Sequence, residues 1–131
     1  MSKTLLVVDD SLIIRKMIGD TATEAGWRVV GEASNGQEAI DRYVELRPDL
    51  VTLDLIMPDT DGLHGLHGIM QKDPNAKVVV VSALEQKGVL QEAFRAGAAD
   101  FLLKPINRAL LADTFRQLAG DASPASTAAS N

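Results

Sequence analysis

Cysteine is absent from the chain, which excludes a disulfide framework, a thiol nucleophile and a thiolate metal centre. Aromatic residues are few, with one Trp, one Tyr and three Phe. Basic residues are also in the minority. Lys and Arg number 13 against 18 Asp and Glu, giving a formal net charge of −5 and a pI near 4.9. That balance disfavours attraction to a phosphate backbone or to anionic lipid, so no direct nucleic-acid or membrane binding is expected. No apolar run approaches the about 20 residues that span a bilayer. Met1-Ser2-Lys3 leads straight into a strand-like run rather than into a signal-peptide core, so a soluble cytoplasmic protein is expected.

What is present suffices for one core: 131 residues, 46% of them apolar. Residues 5–8, 50–53, 78–81 and 101–103 are short continuous apolar runs, the pattern of strands buried on both faces of a parallel sheet. Val29-Val30 is a weaker fifth candidate. Between the runs, apolar residues recur at helical spacing: Ile14, Ile18, Ala22; Ala39, Ile40, Tyr43, Val44; Leu63, Leu66, Met70; Val89, Ala93, Ala96; and Leu111, Phe115, Leu118. Gly26, Asn35-Gly36, Pro48 and Asn107 punctuate the boundaries.

Five strand–helix alternations predict an α/β fold, a flavodoxin-like doubly wound five-stranded parallel sheet of order 2-1-3-4-5 with five helices. Residues 1–119 form the expected domain. Residues 120–131, small and polar without periodicity, read as a disordered tail or the start of a linker.

Ligands in such folds sit beyond the carboxyl ends of the strands, where strand order reverses. The residues there are Asp9 and Asp10, Asp54, Ser82 and Lys104. Two carboxylates 4 Å apart repel by about 4 kcal/mol at an effective dielectric near 20, so three gathered together call for a compensating cation. Mg²⁺ suits an oxygen donor set of this kind, completed by phosphoryl oxygens and water. A carboxylate can also be the nucleophile in phosphoryl transfer when an ammonium, hydroxyl and amide groups stabilise the transferred charge. Taken singly, Asp9-Asp10 reads as a helix N-cap, Ser82 as a turn residue and Lys104 as a solvated charge. Their joint placement is what makes a site.

The segments VVDDS (7–11), SNGQEAI (34–40), PDLVTLDLIMPDTDG (48–62), VVVSA (79–83) and AGAADFLLKP (96–105) resemble, in order, the receiver domain of two-component response regulators. The resemblance spans residues 4–118. It implies that Asp54 is the phosphoacceptor, that Asp10 and Asp54 ligate Mg²⁺ with the Ile56 backbone carbonyl, and that Asp9 orients water around the metal. It further implies that Ser82 and Phe101 are the switch pair, that Lys104 assists phosphorylation, and that the Lys104-Pro105 peptide is cis. A histidine kinase would donate the phosphoryl group. A downstream protein would read the face of the fourth helix, fifth strand and fifth helix, on a monomer or a phosphorylation-dependent dimer.

Within the family, the stretch 82–105 and the run 51–58 resemble stand-alone chemotaxis regulators and the receivers of chemotaxis methylesterases. A receiver from a longer regulator, a methylesterase or transcription factor, is the alternative. An Mg²⁺-dependent aspartyl phosphatase shares the Asp nucleophile, but that class wants a second Asp where this chain has Ile56. A flavin domain needs a phosphate-cradling loop where Asp9 and Asp10 stand. The family's lifetime-tuning positions hold Ile56 and Leu84, neither able to position a hydrolytic water, which predicts slow loss of phosphate. His64 and His67, without further ligands, read as a solvated helix face. Gly65 and Gly68 should weaken a helix by about 0.8–1.0 kcal/mol each, predicting a short, frayed or repositioned third helix.

Overall fold

The computed structural model describes residues 3–57, 62–83 and 87–119. The expected tail (120–131) and Leu84 lie outside them.

Five strands, β1 (Thr4–Val8), β2 (Arg28–Ala33), β3 (Leu50–Leu53), β4 (Val78–Ser82) and β5 (Asp100–Leu103), pair in parallel in the order β2-β1-β3-β4-β5. The helices are α1 (Leu12–Glu24), α2 (Gly36–Leu46), α3 (Gly62–Lys72), α4 (Lys87–Ala96) and α5 (Arg108–Ala119). This is the architecture predicted from the alternation. Alternate strand residues feed two cores. Leu5, Val7, Leu50, Val79 and Val81 pack under α1 and α5 with Ile18, Ala22, Leu111 and Phe115. Leu6, Val8, Val51, Leu53, Val78 and Val80 pack under the other three helices with Ile40, Leu66, Ile69 and Ala93.

Local chemistry starts the helices where the sequence indicates. The Asn35 side chain accepts from the Glu38 amide at 2.9 Å, and Asn107 accepts from Leu110 at 3.0 Å. Asp9-Asp10 is not the cap of α1; Ser11 is, accepting from the Ile14 amide at 3.3 Å. Trp27 is buried at the amino end of the sheet, its indole N–H donating to the Phe115 carbonyl at 2.8 Å.

Three expectations are corrected. β5 is apolar but not buried on both faces: it is an edge strand, with Phe101 half-buried and Leu103 exposed. Val44, on the apolar stripe read for α2, is exposed. The third helix is neither short nor broken across its glycines. It runs 11 residues because those glycines let it lie close to its neighbours. A Cβ on Gly65 would stand 3.1 Å from the Gly36 Cα of α2, and one on Gly68 would stand 2.2 Å from Ile40 Cδ1. Packing offsets the helix-propensity cost.

Candidate functional site

The carboxyl ends of β1, β3, β4 and β5 bring the five polar residues to one place. Asp54 follows β3 and is 4% exposed. Its Oδ1 accepts from the Ile56 amide at 3.0 Å and from Ser82 Oγ at 3.1 Å, while its Oδ2 accepts from Lys104 Nζ at 3.0 Å. Both acceptor atoms are thus fixed, one by a neutral pair of donors and one by an ammonium.

Asp9 has no exposed surface. Its Oδ2 accepts from Lys104 Nζ at 2.8 Å and its Oδ1 from the Ser11 amide at 2.9 Å. Burial pushes the Asp9 carboxyl above its ordinary value, outweighing the Lys104 and Ser11 bonds that pull it down. For Lys104 burial works the other way and would lower it, but the bonds to Asp9 and Asp54 prevail and hold the ammonium above its ordinary value. Asp10 is exposed at the rim. Carboxylate oxygens of Asp9, Asp10 and Asp54 all lie within 4.8 Å of one another. The Lys104 ammonium bonds two of these three carboxylates, and the excess of negative charge on hard oxygen donors suits a small divalent cation. An open cleft of about 260 Å³, lined by Asp10, Asp54, Ile56, Ser82, Ala83 and Lys104, gives access from solvent.

The backbone behind Asp54 is close-packed. A Cβ on Gly62 would stand 2.1 Å from the Asp54 carbonyl oxygen, and the Gly62 amide donates to the Leu55 carbonyl at 3.0 Å. Only a glycine fits there. The Lys104-Pro105 peptide is cis, as the resemblance implied.

The sequence matches the family model for the response regulator receiver domain over residues 5–116. The chain belongs to that family. The receiver is similar to the chemotaxis protein CheY of Thermotoga maritima, 43% identical over 118 residues that cover 90% of this chain and 98% of that protein. It also matches a protein-glutamate methylesterase/protein-glutamine glutaminase of Archaeoglobus fulgidus, 46% identical over 77% of this chain but only 29% of that one. Among solved structures, the response regulator domain of Thermotoga maritima CheB superposes with a TM-score of 0.81 at 36% identity, covering 95% of this chain and all of that one. A chain of the CheX–CheY–BeF3–Mg complex from Borrelia burgdorferi superposes with a TM-score of 0.80 at 34% identity, covering 85% and 84%.

Other flagged residues of the receiver lie outside the acidic cleft. Phe101 on β5 packs edge-on against Phe94 of α4, ring centroids 5.3 Å apart. His64 contacts Gln37 at 3.0 Å, and His67 contacts Glu92 of α4 at 3.2 Å. Arg15 went unremarked in the sequence. It is only 16% exposed, its Nη1 donates to the Asp9 carbonyl at 2.7 Å and its Nε to Glu32 Oε1 at 2.7 Å. The available signal was an arginine one residue from the apolar stripe of α1, just past the acidic pair. Among the described residues, no helix is long and apolar enough to cross a membrane.

Proposed function

We propose that Asp54 of this receiver accepts a phosphoryl group from the phosphohistidine of a sensor kinase, and that the chain is a switch rather than a turnover enzyme. The observation that carries this reading is the fixing of both Asp54 oxygens at the floor of an open cleft by Lys104, Ser82 and the Ile56 amide. In the transfer, an Asp54 oxygen bonds to phosphorus as the bond from phosphorus to the donor imidazole nitrogen breaks. The imidazole leaves with the electron pair. Lys104 neutralises charge on the transferred group, and the Ser82 hydroxyl and nearby amides donate to its oxygens.

The donor set fits Mg²⁺, with Asp10, Asp54 and the Ile56 carbonyl as the ligands and Asp9 orienting surrounding water. Bound there, Mg²⁺ supplies positive charge that offsets repulsion between the carboxylates and the incoming phosphoryl oxygens. Lys104 Nζ donates to Asp9 at 2.8 Å, which holds the two side chains in place in this structure.

Ser82 and Phe101 are the proposed switch pair. Ser82 pairs with Leu103 in the β4–β5 ladder and Val80 with Phe101, so a shift of the Ser82 hydroxyl from the Asp54 carboxylate, which it bonds at 3.1 Å, to a phosphoryl oxygen on Asp54 would be transmitted to β5 and, through Phe94, to α4. The half-exposed face of α4, β5 and α5 is the surface offered to a downstream protein. Moving two states from 1:99 to 99:1 would require about 5.5 kcal/mol of differential stabilisation.

CheY relatives covered almost end to end favour a chemotaxis output. The methylesterase relatives, matched over under a third of their length, support the second reading, a receiver from a longer regulator.

The test is phosphotransfer from a phosphohistidine donor domain. Label should appear on wild type and not on Asp54→Asn. Multiple turnover of a phosphate monoester without a stable adduct would favour the phosphatase instead.

A further inference from the structure

We infer that Arg15 is a positioning residue for the cation site, acting through the peptide unit between Asp9 and Asp10; the inference rests on the Mg²⁺ reading above. The Asp9-Asp10 segment leaves the sheet at Val8 and enters α1 at Leu12, so a short stretch of irregular backbone carries the acidic pair. Besides the Lys104 bond to the Asp9 side chain, it is fastened at three points. The Asp9 amide donates to the Ala33 carbonyl of β2 at 3.1 Å, the Asp9 side chain receives the Ser11 amide, and the Asp9 carbonyl receives Arg15 Nη1 at 2.7 Å.

The third fastening matters most for Asp10. That residue is exposed, so its carboxylate is aimed by the peptide that joins it to Asp9 rather than by surrounding packing. Arg15 grips the carbonyl of that peptide with a charge-assisted bond. Its own direction is set by Glu32 on β2, 2.7 Å from Nε, so the planar guanidinium bridges an edge strand and the acidic loop. Lys16, next in sequence, is 76% exposed and pairs with Asp20. The two cations of α1 thus serve different ends.

Charge and position oppose each other here, which makes the inference sharp. Arg15 is a positive charge near a cation site, so its removal would tighten cation binding if electrostatics were its only influence. As a positioning residue its removal must loosen it. Groups that orient metal ligands typically account for roughly 10–100-fold in metal affinity.

The test uses Mn²⁺ as the probe, with free ion measured by electron paramagnetic resonance during titration of the full chain. Arg15→Met is expected to weaken Mn²⁺ binding about tenfold or more. Arg15→Lys, which keeps the charge but cannot hold both Asp9 and Glu32, is expected to weaken it as well, and decides the matter if the Met variant is unfolded by circular dichroism. Lys16→Met removes the same charge without touching Asp9 and should leave binding unchanged or slightly tighter. Arg15 variants that fold and bind Mn²⁺ as tightly as wild type, or more tightly, would overturn the inference. Failure of wild type itself to bind would instead defeat the metal reading on which it rests.

Discussion

The Lys104 ammonium lies 2.8 Å from Asp9 Oδ2, yet the Asp9 carboxyl still sits above its ordinary value because burial outweighs the ion pair. Lys104 is shared with Asp54, so it does not fully compensate either carboxylate. The consequence for stability has a definite sign. A raised value means that the folded state binds the Asp9 proton more tightly than the unfolded chain. The stability so gained is complete below the ordinary value of 3.8 and is lost as pH rises through the raised one. At neutral pH ionised Asp9 costs stability. Asp9→Asn is therefore expected to melt above wild type at pH 7 without divalent cations, and to lose that advantage as pH falls toward 4. A lower melting temperature for Asp9→Asn at pH 7 would contradict this.

Two glycines should respond in opposite senses to a methyl group. At Gly62 the added carbon would meet the Asp54 carbonyl oxygen and the Leu55 Cα, both backbone atoms that cannot turn aside. Gly62→Ala should lose about 2 kcal/mol or more and displace the backbone at Asp54 and Leu55. Gly88, in the first turn of α4, has nothing within 4 Å of that position and a helical backbone. Gly88→Ala should gain about 0.5–1 kcal/mol. Denaturant midpoints measured on both variants check the pair, and shifts of equal sign would refute the packing account.

Tyr43 is the chain's single tyrosine, so its titration can be followed without overlap. Burial and the 2.7 Å bond from its hydroxyl to Asp73 push its value from 10.0 up to about 12. The folded state holds this proton more tightly, so the associated stability is present below pH 10 and disappears as pH rises toward about 12. Tyrosinate absorbance should rise well above pH 10 in the native protein, and Tyr43→Phe should lose about 1 kcal/mol at neutral pH. A native-state midpoint near 10 would show the bond to be absent in solution.

Ile56 presents an apolar side chain, 44% exposed, at the mouth of the acidic cleft. It cannot hydrogen-bond a water for attack on a phosphorylated Asp54. Ile56→Asn should therefore shorten the lifetime of the phosphorylated form several-fold, read as inorganic phosphate release after donor removal. Equal lifetimes would discount the side chain as a determinant.

How much of this was legible in the sequence depended on how local its cause was. The runs 5–8, 50–53 and 78–81 announced buried strands because burial on both faces demands unbroken apolar sequence. The polar residues at their ends announced the cleft because the fold class places strand ends together. β2 was faint because it is an edge strand containing Gly31 and Glu32, with a register shift opposite Leu5 and Leu6. β5 looked buried because its apolar run was weighed apart from the predicted strand order, which already placed it at an edge. Helix propensity correctly priced the glycines of α3 but could not see α2 lying against them. Arg15 was invisible for a similar reason, since its partners come from β2 and from the turn before α1.

The most direct test of the account is the intact mass of the full chain after incubation with a small acyl-phosphate donor and Mg²⁺. The mass of one phosphoryl group should be added to wild type, the adduct should be lost under conditions that hydrolyse acyl phosphates, and Asp54→Asn should gain nothing. An unmodified wild type, or the same adduct on Asp54→Asn, would contradict the assignment of Asp54 as the acceptor.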